Sequence, residues 1–195
     1  MADIFVGGAG DGTTHNVYDY VHHYYQTTYN KDAMYFSHSD DEGIKAFLDS
    51  VQPAEPINLI GHSWGGDTAG NIAVTYRRRI NLLITVDPVG HWPSEVPRPE
   101  YPQPGRPPLA DYTSFYMLIR SNCDQWVDVD AITDAWYHES NVIAGLGGPW
   151  GVAVRDIAHL YIDAKGHDHR DFAQMMGYTD KNVAKSALNI LTGGR

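Results

Sequence analysis

The chain has 195 residues, enough for one domain with a sizeable buried core. Its 14 Lys and Arg stand against 24 Asp and Glu, a net charge of −10, so a nucleic-acid partner and adhesion to an anionic membrane are both disfavoured. Cys123 is the only cysteine, which excludes an internal disulfide and any C-x-x-C zinc site.

The first residues show no charged segment leading into an apolar one, and no run is long enough to cross a bilayer. The expected compartment is the cytoplasm; export without a leader would leave no mark in the sequence.

Asp3-Ile4-Phe5-Val6 reads as a first strand that ends in the glycine-rich loop Gly7-Gly8-Ala9-Gly10. Asp11 to His15 reads as polar loop. Val17, Tyr20, Val21, Tyr24 and Tyr25 recur at helical spacing, so a helix is expected over 17–29. Ala33 to Ser37 is a second strand. A helix then opens on Asp40, Asp41 and Glu42, buries Ile44, Phe47, Leu48 and Val51, and stops before Pro53 and Pro56.

Ile57-Asn58-Leu59-Ile60 is a β-type run that meets Gly61-His62-Ser63-Trp64-Gly65-Gly66 and leaves into a helix expected over 67–79. The basic end of that helix, Arg77 to Arg79, suits its negative pole. Ile80 to Val86 is a nearly continuous apolar run, as in a strand covered on both faces. From Pro88 to Pro108 the chain holds eight of its 11 prolines, so regular structure is excluded there. We read 88–110 as a surface excursion near the mouth of the site.

Ser114 to Arg120 reads as a strand, and 124–141 as acidic and irregular, with a short helix near 131–137. A glycine-rich loop follows over 141–150. Val152 to Arg155 and His159 to Asp163 read as short strands, and a C-terminal helix starts near Arg170, breaks at Gly177 and resumes over 180–191. Strands alternating with helices give an α/β class: a mostly parallel central sheet with helices on both faces, in one domain spanning 1–195.

The stretch around Ser63 carries the chemistry. A serine at the apex of a tight strand-to-helix turn stands clear of the backbone, and glycines two residues before and after it remove the side chains that would collide. This G-x-S-x-G elbow resembles that of the α/β-hydrolase family, here a small lipase- or esterase-like form with Gly-His-Ser-Trp-Gly-Gly. The resemblance implies a compact α/β-hydrolase domain without a large cap. It implies a serine hydrolase of carboxylic esters, phospholipids among them, working through an acyl-enzyme.

The family's order is nucleophile, acid, base. Asp87 directly follows the strand after the elbow, and Val86-Asp87-Pro88 resembles the acid segment of a lipase branch; the more usual acid position, one strand later, favours Asp124. Among ten histidines, His15, His22, His23 and His38 precede the elbow, His62 lies within it, and His91 follows the acid too closely. His138 and His159 fall inside elements. His169 and His167 lie between the last strand and the last helix; His169 is the first choice as base and His167 the second. The oxyanion donors implied are the backbone N–H groups of Trp64 and of Gly8 or Ala9. A phosphate-cradling role for the Gly7–Gly10 loop is weaker, because no Gly-Lys-Ser/Thr follows it.

The expected ligand is a small-molecule ester or a lipid, with no cofactor and no metal. A protein partner such as an inhibitor or immunity protein leaves no readable mark; some secreted antibacterial phospholipases share the early Phe-Val-Gly-Gly and the Val-Asp-Pro segments. Amides, thioesters and acyl transfer use the same machinery. The reading from a different class is a non-catalytic scaffold of the same fold, which would not need all three polar residues.

Overall fold

A computed structural model of the chain describes residues 1–90, 112–133, 138, 141, 142, 144, 149–179 and 183–194. Six strands are defined: β1 (Ala2–Gly7), β2 (Ala33–Ser37), β3 (Ile57–His62), β4 (Ile80–Val86), β5 (Cys123–Ile132) and β6 (Leu160–Lys165). They form one sheet in the order β2-β1-β3-β4-β5-β6, every neighbouring pair parallel. Parallel neighbours need crossovers, and those crossovers cover both faces with helices.

Alternation along the strands feeds two cores. Ile4, Val6, Leu59, Leu83 and Trp126 face one side, where they meet Ile44 and Leu48 of α4 (Asp41–Ser50), Ala69, Ile72 and Ala73 of α5 (Trp64–Thr75) and Phe115 and Ile119 of α6 (Tyr112–Asn122). Phe5, Ile60, Leu82, Ile84, Val127 and Ile162 face the other side. There they meet Val17 of α2 (Asn16–Asp19), Tyr20, Val21 and Tyr25 of a π-helical turn (Tyr20–Tyr25) that runs on into α3 (Gln26–Tyr29), Phe172 and Met175 of α7 (Phe172–Gly177), and Leu188 of α8 (Ala187–Thr192). Each fully buried Leu, Ile or Phe contributes about 1.5–3 kcal/mol relative to leaving it exposed.

The expected parallel sheet is present, but several local expectations change. Residues 114–120 are helix, not strand. Phe115, Tyr116 and Ile119 are buried while Met117 and Leu118 are half exposed, a 3–4 residue spacing that the unbroken apolar string conceals. The acidic stretch after Asp124 is β5 and not irregular chain; its acids Asp128 and Asp130 point into the protein instead of into water. Gly151–Ala153 is a 3₁₀ turn where a strand was expected, with Gly151 in the left-handed region at φ 47°. The polar loop after Gly10 contains the short helix α1 (Asp11–Thr14).

The post-elbow helix stops at Thr75, before the three arginines, which act on other segments. Arg78 donates to the carbonyl oxygens of Val51, Gln52, Pro53 and Glu55, so it fixes the chain leaving α4. Arg77 pairs with Asp49 at 3.0 Å. The proline-rich excursion, the helix expected near 131–137 beyond Thr133 and residues 180–182 fall largely outside the described residues; the helix expected to resume at 180 starts only at Ala187, after a non-helical 183–186. No helix among the described residues is long and apolar enough to cross a membrane.

Asp128 and Asp130 form an unusual feature of the sheet. Asp128 is opposite Thr85 in the β4–β5 register, and its carboxylate accepts from the Thr85 hydroxyl, which in turn accepts from the Trp126 indole N–H at 2.9 Å. Asp130 accepts from the Tyr161 hydroxyl. Burial pushes the Asp130 carboxyl up to about 7, helped by the charges of Asp87 and Asp163 and opposed by Tyr161 and Arg155. Asp128 is raised well above the carboxylate range by its own burial and then by the charge of Asp130.

A raised carboxyl pKa means that the folded state holds a proton which the unfolded chain has released. The contribution to stability is therefore lost as pH rises from about 4 towards about 7. Asp130→Asn removes this dependence. In urea unfolding the variant should gain on the wild type, by on the order of a few kcal/mol at most, between pH 5 and pH 8. An unchanged difference between the two proteins at the two pH values would contradict the assignment.

Candidate active site

The sheet order places a switch point between β1 and β3: the chain leaves β1 towards β2 and crosses back to β3. Loops at the carboxyl ends of strands on either side of such a point diverge and leave a crevice. Ser63 follows β3 there, with φ 57° and ψ −128°. A non-glycine residue in that region carries about 1–3 kcal/mol of strain, so the surroundings must hold it.

Two backbone contacts do so. A Cβ on Gly61 would strike the carbonyl of Gly65, and a Cβ on Gly65 would strike the carbonyl of Val6. The first turn of α5 therefore lies directly against the ends of β1 and β3. Ser63 N–H donates to Val86 O at 3.1 Å, and Ser63 O accepts from Gly66 N–H at 2.9 Å and Val89 N–H at 3.2 Å.

Ser63, His169 and Asp87 form one hydrogen-bonded line. Ser63 Oγ lies 2.9 Å from His169 Nε2, and His169 Nδ1 lies 2.5 Å from Asp87 Oδ2. A carboxylate only accepts, so Nδ1 carries the proton and Nε2 presents a lone pair to the Ser63 hydroxyl. All three residues are buried from bulk water. Asp87 is itself fixed: its N–H donates to Val129 O at 2.6 Å, and its Oδ1 accepts from Ala131 N–H at 3.1 Å. Its φ of 44° turns the chain so that the carboxylate faces His169.

The imidazole of His169 is also held through its backbone. His169 N–H donates to Asn141 Oδ1 at 2.9 Å, and its carbonyl accepts from His62 Nε2–H at 2.7 Å. The His62 ring lies 4.9 Å from the His169 ring and 5.4 Å from Phe172. Burial, then the neighbouring His169, pushes the His62 imidazole down to about 4, so it is neutral near pH 7.

Asp168 accepts from Asn141 Nδ2 at 3.0 Å and lies 2.7 Å from His138 Nδ1, which clasps that segment to the His169 loop. His62, Asn141 and Asp168 were not legible in these supporting roles. Only the position of His62 inside the elbow and of Asp168 beside His169 gave a hint.

The alternatives lie elsewhere. Asp124 is the second residue of β5, so it sits at the opposite end of the sheet from Ser63, where it pairs with Arg79. The carboxyl end of that strand holds Asp130 instead. His167 faces Asp171, at 3.9 Å, and the Tyr178 ring, at 5.4 Å. His159 Nδ1 accepts from Trp126 N–H at 3.0 Å, a structural role. His91 lies outside the described residues.

Gly8, Ala9 and Trp64 share a cleft of about 180 Å³ with Ser63 and His169, walled also by Val89 and Ala144. A Cβ on Gly8 would stand 2.7 Å from Ser63 Cβ and 3.2 Å from its Oγ, so the loop after β1 passes the hydroxyl closely enough to need glycine. Asp11 anchors that loop: its carboxylate accepts from Val17 N–H at 2.7 Å, Tyr18 N–H at 3.2 Å and Tyr35 Oη–H at 2.6 Å. No group of three His, Cys, Asp or Glu among the described residues is arranged to hold a metal ion.

No protein-family model and no curated protein matches the chain. Among solved structures it is similar to a methylesterase, MES16, from Arabidopsis. The likeness covers 99% of this chain and 96% of that one, with a TM-score of 0.50 and 13% sequence identity. It shows the fold: a mostly parallel six-stranded sheet with helices on both faces, the α/β-hydrolase arrangement.

His62→Phe keeps the ring volume but removes the donor to the His169 carbonyl. Leaving that buried oxygen unpaired should cost about 1–3 kcal/mol in urea unfolding. The far-downfield proton resonance of the His169–Asp87 bond should broaden or vanish in the variant. An unchanged resonance would mean that His62 does not position His169.

Proposed function

We propose that the protein is a serine hydrolase of carboxylic esters, with Ser63 as nucleophile, His169 as general base and then acid, and Asp87 as the orienting acid. The observation that carries this reading is the continuous line from Ser63 Oγ through His169 to Asp87, at 2.9 Å and 2.5 Å. A scaffold without activity has no use for a strained serine joined to a buried imidazole and carboxylate. The similar solved structure is by its title a methylesterase, which supports an ester as the bond acted on.

In the proposed reaction the Ser63 oxygen attacks the acyl carbon while its proton passes to His169 Nε2. The carbonyl electron pair moves onto oxygen, where the N–H groups of Trp64 and of Gly8 or Ala9 donate to it. Asp87 remains ionised and stabilises the imidazolium. His169 returns the proton to the departing alkoxide. Water then enters, loses a proton to His169 and releases the acyl group, which regenerates Ser63.

A fluorophosphonate probe should label the wild type at one serine, identified as Ser63 by mass spectrometry, and should not label Ser63→Ala. With para-nitrophenyl butyrate, Ser63→Ala should lose activity by roughly three or more orders of magnitude while staying folded. Asp87→Asn keeps the shape but loses the charge, and should lower kcat by about a thousandfold or more. Asp124→Asn should leave the rate within about twofold. A folded Ser63→Ala protein that hydrolyses the ester at the wild-type rate would refute the proposal.

A further inference from the structure

We infer that Arg170 forms an anion-recognition point at the rim of the cleft, so that the preferred ester carries a carboxylate or phosphate near its scissile bond; this rests on the ester-hydrolase reading of the same site. Arg170 directly follows His169 and belongs to the cleft wall. Its side chain is exposed. Its backbone is fixed, because its carbonyl accepts from Asn16 Nδ2 at 3.3 Å and the preceding residue is held by Asn141 and His62. The guanidinium makes no ion pair or hydrogen bond among the described residues.

The other charged group of the wall behaves differently. Asp11 spends its carboxylate on three donors, two backbone N–H groups and the Tyr35 hydroxyl, and is buried beneath the loop. The other described residues of the wall, Thr14, Asn16 and Trp64 among them, include no second Lys or Arg. Among the described residues of the cleft wall, Arg170 is the one Lys or Arg, and it stands there in a chain whose net charge is −10. Its planar fork of donors matches the two oxygens of a carboxylate or phosphate.

The test uses matched esters. The acyl-side pair is mono-para-nitrophenyl glutarate against para-nitrophenyl valerate, which have equal chain lengths. The leaving-group pair is para-acetoxybenzoate against its neutral amide. Intrinsic reactivity cancels when each anionic-to-neutral ratio of kcat/KM is compared between proteins. In Arg170→Gln at least one ratio should fall about tenfold, and Arg170→Lys should retain most of it. The wild-type preference should also shrink at about 0.5 M salt.

A binding measurement separates the two proposals. Calorimetry on the Ser63→Ala protein should show monomethyl glutarate or inorganic phosphate binding that Arg170→Gln abolishes, the tighter of the two naming the anion. Hydrolysis with both ratios unmoved would overturn the anion site and leave the hydrolase. Anion binding that depends on Arg170, without any hydrolysis, would do the reverse. Absence of both effects would remove both.

Discussion

The organisation of the site depends on one steric constraint, the closeness with which α5 approaches the ends of β1 and β3. Gly61 meets the Gly65 carbonyl and Gly65 meets the Val6 carbonyl with no room for a Cβ. That closeness forces the chain to turn within one residue, and Ser63 takes the positive φ that the turn requires. The strain is held by backbone hydrogen bonds around Ser63 and by two cores that fix the strands on either side. Gly8 extends the same packing, since the loop after β1 can pass the Ser63 hydroxyl only as glycine.

The second organising feature is convergence at the carboxyl ends of parallel strands. Ser63, Asp87 and His169 come from the ends of β3, β4 and β6, and none of them is adjacent to another in sequence. Each is fixed by groups from a neighbouring segment. Asp87 is held by the backbone of β5, and His169 by His62 and Asn141. Charge is distributed with the same economy: the Asp87 carboxylate faces an imidazole, whereas the buried Asp130 nearby is raised to about 7 and Asp128 is raised well above the carboxylate range by its burial. A second full negative charge beside Asp87 is thereby reduced at neutral pH and below.

Much of this was legible in the residues, because local rules left little choice. The glycine spacing around Ser63 can be satisfied only by a sharp turn, and the aliphatic runs of β1, β3 and β4 suit only strands covered on both faces. Asp87 and His169 could be proposed because they follow strands in the order that the elbow resemblance implies. The choice of His169 over His167 as the neighbour of Ser63 was not available from spacing. It depends on which of two residues in one loop turns inward, and Asn141 and His62 impose that from outside the loop.

The sequence by itself determined the elbow, the alternation of strands and helices and the shortlist of polar residues, since each of these follows from short-range sterics and periodicity. The tertiary structure alone decided which apolar string became helix α6 and that the acidic stretch after Asp124 became the buried strand β5. The physical reason is the same in both cases. A continuous apolar run has no period of its own until a neighbour covers one side, and a carboxylate reads as solvent-facing until Thr85 and Tyr161 supply the hydrogen bonds that let it be buried. The placement of Asp124 far from Ser63, at the far end of β5 against Arg79, follows from that strand's direction, which no local pattern encodes.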